Sequence, residues 1–150
     1  PERASWQARR PDANFCGTQI GESLAAHYAS GDVFLFPSLT ETWGNVTIEA
    51  MASGLAVVAY DCAAAEEIIR HGENGLKAPP EDEAAFIEQA QSLASDTARQ
   101  RRLGNAAAAR AAHLSWDAII DGFEHVLLRL AHPQPAVDAE PAWPTAVRTG

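Results

Sequence analysis

Basic residues are scarce in this chain: 11 Lys and Arg stand against 20 Asp and Glu, a formal net charge of −9. Nucleic-acid binding depends on neutralising phosphates with clustered Lys and Arg, so the balance argues against that partner. Cysteine is equally thin. Cys16 and Cys62 are too few for a disulfide scaffold or a structural zinc site, and as small buried thiols on one edge of a sheet they need no special role. The five histidines, His27, His71, His113, His125 and His132, show no metal-ligand spacing, there is no Asp-x-Asp pair, and no metal or other cofactor is expected. No apolar run approaches the roughly 18 to 20 residues of a membrane span, and no charged-then-apolar leader opens the chain. The expectation is a soluble, cytoplasmic protein without a transmembrane segment. Gly17-Thr18-Gln19-Ile20-Gly21 is not the dinucleotide fingerprint, and no Walker-type loop is present.

What is there centres on two carboxylates. Glu41 and Glu49 stand eight positions apart, directly after the apolar run Val33-Phe34-Leu35-Phe36. That run suits a strand buried on both faces, and Pro37 ends its ladder. A helix opening near Gly44 would carry Val46, Ile48, Ala50, Met51, Ala52 and Leu55, apolar nearly all round, with Gly54 as its stop. A buried helix should not hold a lone acid, yet Glu49 has only Asn45, Val46, Ala52 and Ser53 three and four positions away. No Lys or Arg on its own helix can neutralise it. First-turn amides near Gly44 carry partial positive charge, and a residue without a side chain lets an anion or a sugar oxygen come close. In open α/β sheets, loops at the carboxyl ends of strands are where ligands bind.

Phe36-Pro37-Ser38, Glu41, Gly44, Glu49-Ala50-Met51-Ala52, Gly54 and Ala56-Val57-Val58-Ala59-Tyr60 closely resemble the retaining, nucleotide-sugar-dependent glycosyltransferases of family 4, also described as glycosyl transferases group 1. The resemblance covers about residues 14 to 130. It includes Asn14-Phe15-Cys16-Gly17 and Tyr28-Ala29-Ser30-Gly31-Asp32-Val33 upstream, then Glu67-Ile68-Ile69, Gly72-Glu73-Asn74-Gly75-Leu76 and Ser115-Trp116 downstream. Trp43 stands where the family more often has Phe. The resemblance implies a GT-B fold of two Rossmann-like domains, of which this chain is part of the C-terminal, donor-binding one. It implies that Glu41, the candidate catalytic residue, contacts hydroxyls of the donor sugar. Glu49 would accept hydrogen bonds from the nucleotide ribose, and amides at Gly44, Asn45 and Val46 would hold sugar and diphosphate. Gly17 and Thr18, with Gln19 and Ile20, match the region near the base. Ionised carboxylates suit the first two tasks because they accept only and make charge-assisted bonds. The implied donor is a UDP- or GDP-sugar, and the acceptor a glycan or lipid hydroxyl. The family pattern gives the two acids separate binding tasks, unlike the acid and nucleophile of a retaining glycosidase.

The remaining sequence alternates strand and helix, as a Rossmann-like parallel sheet with flanking helices requires. Strands are expected at Asn14 to Cys16, Val33 to Phe36, Ala56 to Tyr60 and Gly75 to Lys77. Helices are expected at Ile20 to Ala29, Ala64 to Arg70, Glu81 to Ser95, Arg99 to His113 and Trp116 to Leu130, the third burying Phe86, Ile87, Ala90 and Leu93. Residues 1–13 read as a helix end and linker, with Arg3, Arg9 and Arg10 solvated. Residues 14–130 read as the donor-binding domain, and 131–150 as a Pro-rich tail. At 150 residues, beginning at Pro1, the chain reads as a partial domain lacking the acceptor-binding half. By the family pattern the segment carrying the Arg and Lys that bind donor phosphates is missing too. Through the missing half, a longer protein could touch a membrane at its inner face. Two further readings stay open: a catalytically silent nucleotide-sugar binding or interaction module, and an epimerase or phosphorylase on the same architecture.

Overall fold

The computed structural model describes residues 2–40, 44–114 and 116–131. The chain divides into two units, Pro1–His113 and Leu114–Gly150. In the first, the elements run α1 (Glu2–Arg9), α2 (Gly21–Ala29), β1 (Val33–Phe36), α3 (Asn45–Ala52), β2 (Ala56–Tyr60), α4 (Ala63–Ile68), β3 (Leu76–Ala78), α5 (Glu83–Ala94) and α6 (Thr97–Ala111). The described part of the second unit contains α7 (Trp116–Ala131).

The expected parallel α/β layer is present. The three strands lie in the order β1-β2-β3, and both pairings are parallel: Val33 opposite Ala56, and Val58 opposite Leu76. Parallel neighbours need crossover connections, and α3 and α4 lie in the two crossovers. β2, flanked on both edges, is buried at all five positions. Ala56, Val58 and Tyr60 alternate onto one face and join Leu76, Ala78, Phe86, Leu93 and Leu103 in the main core cluster. Val57 and Val58 are fully buried, each contributing roughly 1.5 to 3 kcal/mol of transfer free energy. Tyr60 and Phe86 pack with ring centroids 5.0 Å apart.

The loop into β3 is held by Asn74, 5% exposed, whose Nδ2 donates to the Ile68 carbonyl at 3.1 Å while its Oδ1 accepts from the Arg70 amide at 2.6 Å. At the outer edge the Lys77 amide donates to His71 Nδ1 at 3.0 Å, and the Lys77 ammonium pairs with Asp61 at 2.6 Å. α5 and α6 begin at aspartate caps, Asp82 accepting from the Ala85 amide and Asp96 from the Arg99 amide, each at 2.9 Å.

Several expectations are corrected. Asn14 to Cys16 is not a strand; a strand exists by pairing, and none of the described residues pairs with it. Val33 to Phe36 is a strand but is not buried on both faces: it pairs with β2 alone among the described residues, and Leu35 is 49% exposed. Ile87 is exposed, since Phe86 and Leu93 already face the sheet and it lies one step off their stripe. Cys16 is exposed rather than buried because its segment joins no sheet.

The second unit's α7 is amphipathic, with Ile120, Phe123, Leu127 and Leu130 recurring at helical spacing and all exposed. No helix among the described residues is long and apolar enough to cross a membrane.

Candidate functional site

The carboxyl ends of β1 and β2 lead into loops that precede α3 and α4, so both helices start on the same side of the sheet. α3 opens at Gly44, whose φ of 69° lies in the left-handed region open to glycine. A methyl group there would overlap the Cβ of Ala64, so the start of α3 sits directly against α4. Among the described residues no side chain caps α3, and its first turn carries no acid. Its first amides therefore keep their hydrogen-bonding capacity and partial positive charge for an outside acceptor. Gly44 is buried, Asn45 exposed and Val46 half-buried.

The buried stripe of α3 is Thr47, Ala50 and Met51. Glu49 lies about 200° from Thr47 around the helix and is exposed, which corrects the expectation of an acid trapped in a buried helix. Water solvates it, so the missing helical partner incurs no desolvation penalty. It nonetheless has no ion pair or side-chain hydrogen bond among the described residues. It lines an open groove of about 420 Å³ between α3 and α2, whose walls include Ala52, Ser53, Gly21, Leu24 and Tyr28. An acceptor-only carboxylate above an apolar wall can take paired hydroxyls of a ligand whose body lies in the groove.

Of the other expected site residues, Glu41 lies outside the described residues. Gly17 and Thr18 are exposed in an irregular segment that ends at α2. They are not among the groove-lining residues, whereas Gly21, four positions on, joins Glu49 there. Leu24, Ala25 and Tyr28 recur at helical spacing in the sequence, a pattern that marks one face of a helix and carries no sign of the groove beside it. Half-buried Cys62 places its Sγ 4.0 and 3.9 Å from the carbonyl oxygens of Ser38 and Leu39, fastening the loop after β1 to the start of α4. Among the described residues no group of three His, Cys, Asp or Glu could hold a metal ion. Arg3 donates to the Phe15 carbonyl, Arg9 stacks on Trp6 at 4.6 Å, and Arg10 pairs with Asp12 at 2.7 Å. The hydrogen bond from Arg10, more than any other contribution, lowers the Asp12 pKa to about 2, although both groups are fully exposed.

A parallel α/β layer whose loops at the carboxyl ends of the strands lead into helix starts is the arrangement of the open-sheet class, in which such loops are the usual place for ligands. Comparison with known proteins makes that class specific: residues 1–96 match the family model for glycosyl transferases group 1, and the chain belongs to that family. It is 38% identical over 109 residues to sulfoquinovosyl transferase SQD2 of Arabidopsis thaliana, covering 71% of this chain and 21% of that protein. It is 41% identical over 78 residues to a GDP-mannose-dependent alpha-mannosyltransferase of Mycobacterium tuberculosis, covering 52% of this chain and 21% of that one. Among solved structures, sucrose-phosphate synthase from Thermosynechococcus elongatus superposes with a TM-score of 0.70 at 30% identity, over 87% of this chain and 35% of that one. Anabaena HepE in complex with UDP gives a TM-score of 0.70 at 22% identity over 87% and 36%, a likeness of fold. The chain thus spans about a fifth of these curated relatives and about a third of these solved chains.

Proposed function

We propose that this chain is the donor-binding part of a retaining glycosyltransferase, which transfers a sugar from a UDP- or GDP-sugar to a glycan or lipid hydroxyl. The observation that carries the reading is Glu49, a carboxylate without a partner among the described residues, on a groove wall one turn from the start of α3, in a chain of this family. Glu49 accepts the ribose hydroxyls, the amides of Gly44, Asn45 and Val46 take diphosphate and sugar oxygens, and Glu41 contacts the sugar. Gly17 and Thr18 flank the base. The relatives support the donor class: one is a GDP-mannose-dependent alpha-mannosyltransferase, and the structurally similar HepE is a complex with UDP. In this reading amides and cations balance the diphosphate charge without a metal ion. The free thiols Cys16 and Cys62 suit the reducing cytoplasm. Transfer needs acceptor contacts from a larger protein, so the isolated chain binds donor without turning it over.

Calorimetric titration with UDP, GDP and their sugar derivatives tests this. Glu49→Ala should weaken nucleotide binding by about 1.5 to 3 kcal/mol, the range for hydrogen bonds to a charged group. Glu41→Ala should spare the bare nucleotide and weaken only the sugar-bearing donor. Equal losses for both ligands in Glu41→Ala would refute that division of roles.

A further inference from the structure

The groove between α2 and α3 has two unlike walls. On the α2 side Leu24 and Ala25 present aliphatic surface, and the Tyr28 ring is seated against Phe34 with centroids 5.8 Å apart. The α3 side is polar: Glu49 and Ser53 both line the groove, one helical turn and about 6 Å apart along the axis. The volume of about 420 Å³ lies in the range of small-molecule sites and accommodates a nucleoside. In a groove open to solvent, a flat ring resting on one wall meets the other with its edge.

Hydrogen-bond polarity on the α3 side is one-sided. A serine hydroxyl has one proton to donate, and Ser53 Oγ commits its own to the Glu49 carbonyl at 2.8 Å. Only lone pairs are left to face the groove. The Glu49 carboxylate adds further acceptors. The last turn of α3 holds no basic residue, so the partial negative charge of that helix end is uncompensated, and among the described residues no Lys, Arg or His lines the groove. A ligand edge set against this wall must supply protons. Guanine presents a ring N–H and an amino group side by side, whereas uracil presents one N–H between two carbonyl oxygens that an acceptor wall repels.

We propose that Ser53 is a specificity-determining residue that selects guanine, so that the donor is a GDP-sugar rather than a UDP-sugar. This rests on the nucleotide-sugar reading of the same groove. Glu49 takes the ribose hydroxyls, the base extends one turn along α3 with a face against Leu24 and Ala25, and Ser53 Oγ accepts from the guanine edge that carries N1–H and the 2-amino group. Discrimination of this kind is strong because the wrong base leaves acceptors facing acceptors.

Calorimetric titration of the chain with GDP, UDP, guanosine and uridine tests this. The wild-type chain should bind GDP at least about tenfold more tightly than UDP, and guanosine more tightly than uridine. Ser53 is exposed, so Ser53→Ala should fold; it should lower the preference for GDP over UDP severalfold while UDP affinity holds, a change of ratio that a purely structural hydroxyl would not produce. Ala25→Leu, which narrows the groove from the opposite wall, should weaken GDP more than UDP because the purine is larger. Glu49→Ala should weaken both nucleotides alike and leave their ratio intact, so it reads the ribose contact separately. UDP binding as tight as GDP or tighter in the wild-type chain, or an unchanged ratio in Ser53→Ala, overturns the guanine assignment and leaves the nucleotide reading standing. A wild-type chain that binds neither nucleotide overturns both.

Discussion

Gly104→Ala should destabilise this protein, although glycine inside a helix is ordinarily the worse residue. The usual exchange gains up to about 1 kcal/mol, from backbone entropy and helix propensity. Here the new methyl group would overlap the Gly54 carbonyl oxygen and come within 3.0 Å of its carbon, and both are backbone atoms that no rotamer change can move. α3 and α6 would have to separate, and overpacking of this kind costs about 1 to 3 kcal/mol or more. The expected net loss is on the order of 1 to 2 kcal/mol, a drop of several degrees in Tm for a domain of this size. Thermal unfolding followed by circular dichroism measures it. Gly122→Ala is the internal control: it too is helical, but nothing lies within 4 Å of the added carbon, so the ordinary gain should appear. Equal or greater stability in Gly104→Ala would show that the helices do not cross as closely as described.

Asn74→Ala should cost about 1 to 3 kcal/mol in urea denaturation, because it strands the Ile68 carbonyl and the Arg70 amide in a buried loop; an unchanged midpoint would mean that water takes over both bonds. Asp12 should titrate near 2 in an NMR pH series, against the ordinary 3.8, and Arg10→Gln should return it toward the ordinary value. Because the folded carboxyl is the stronger acid, its contribution is fully present above about pH 4 and is lost as pH falls toward 2. Both side chains are exposed, so added salt should shrink the difference.

The helices and the strands β1 and β2 were legible because local chemistry specifies them: an aspartate before a helical stripe, a glycine after one, and an unbroken apolar run between turn residues. Burial was less legible. Val33 to Phe36 and Ala56 to Tyr60 look alike in sequence, yet β2 is closed in on both edges and β1 is not, because neighbours rather than composition decide exposure. Asn14 to Cys16 fails as a strand for the same reason.

The site divides along the same line. Glu49 stood out because a carboxylate interrupts an apolar octet, and that signal survives the correction that it faces water. What the octet implied about burial belongs instead to Thr47 on the opposite flank, whose lone hydroxyl was equally visible and went unused. The close approach of α6 to the backbone of Gly54 had no local signal, because glycine at 104 acquires its meaning only from what packs on it.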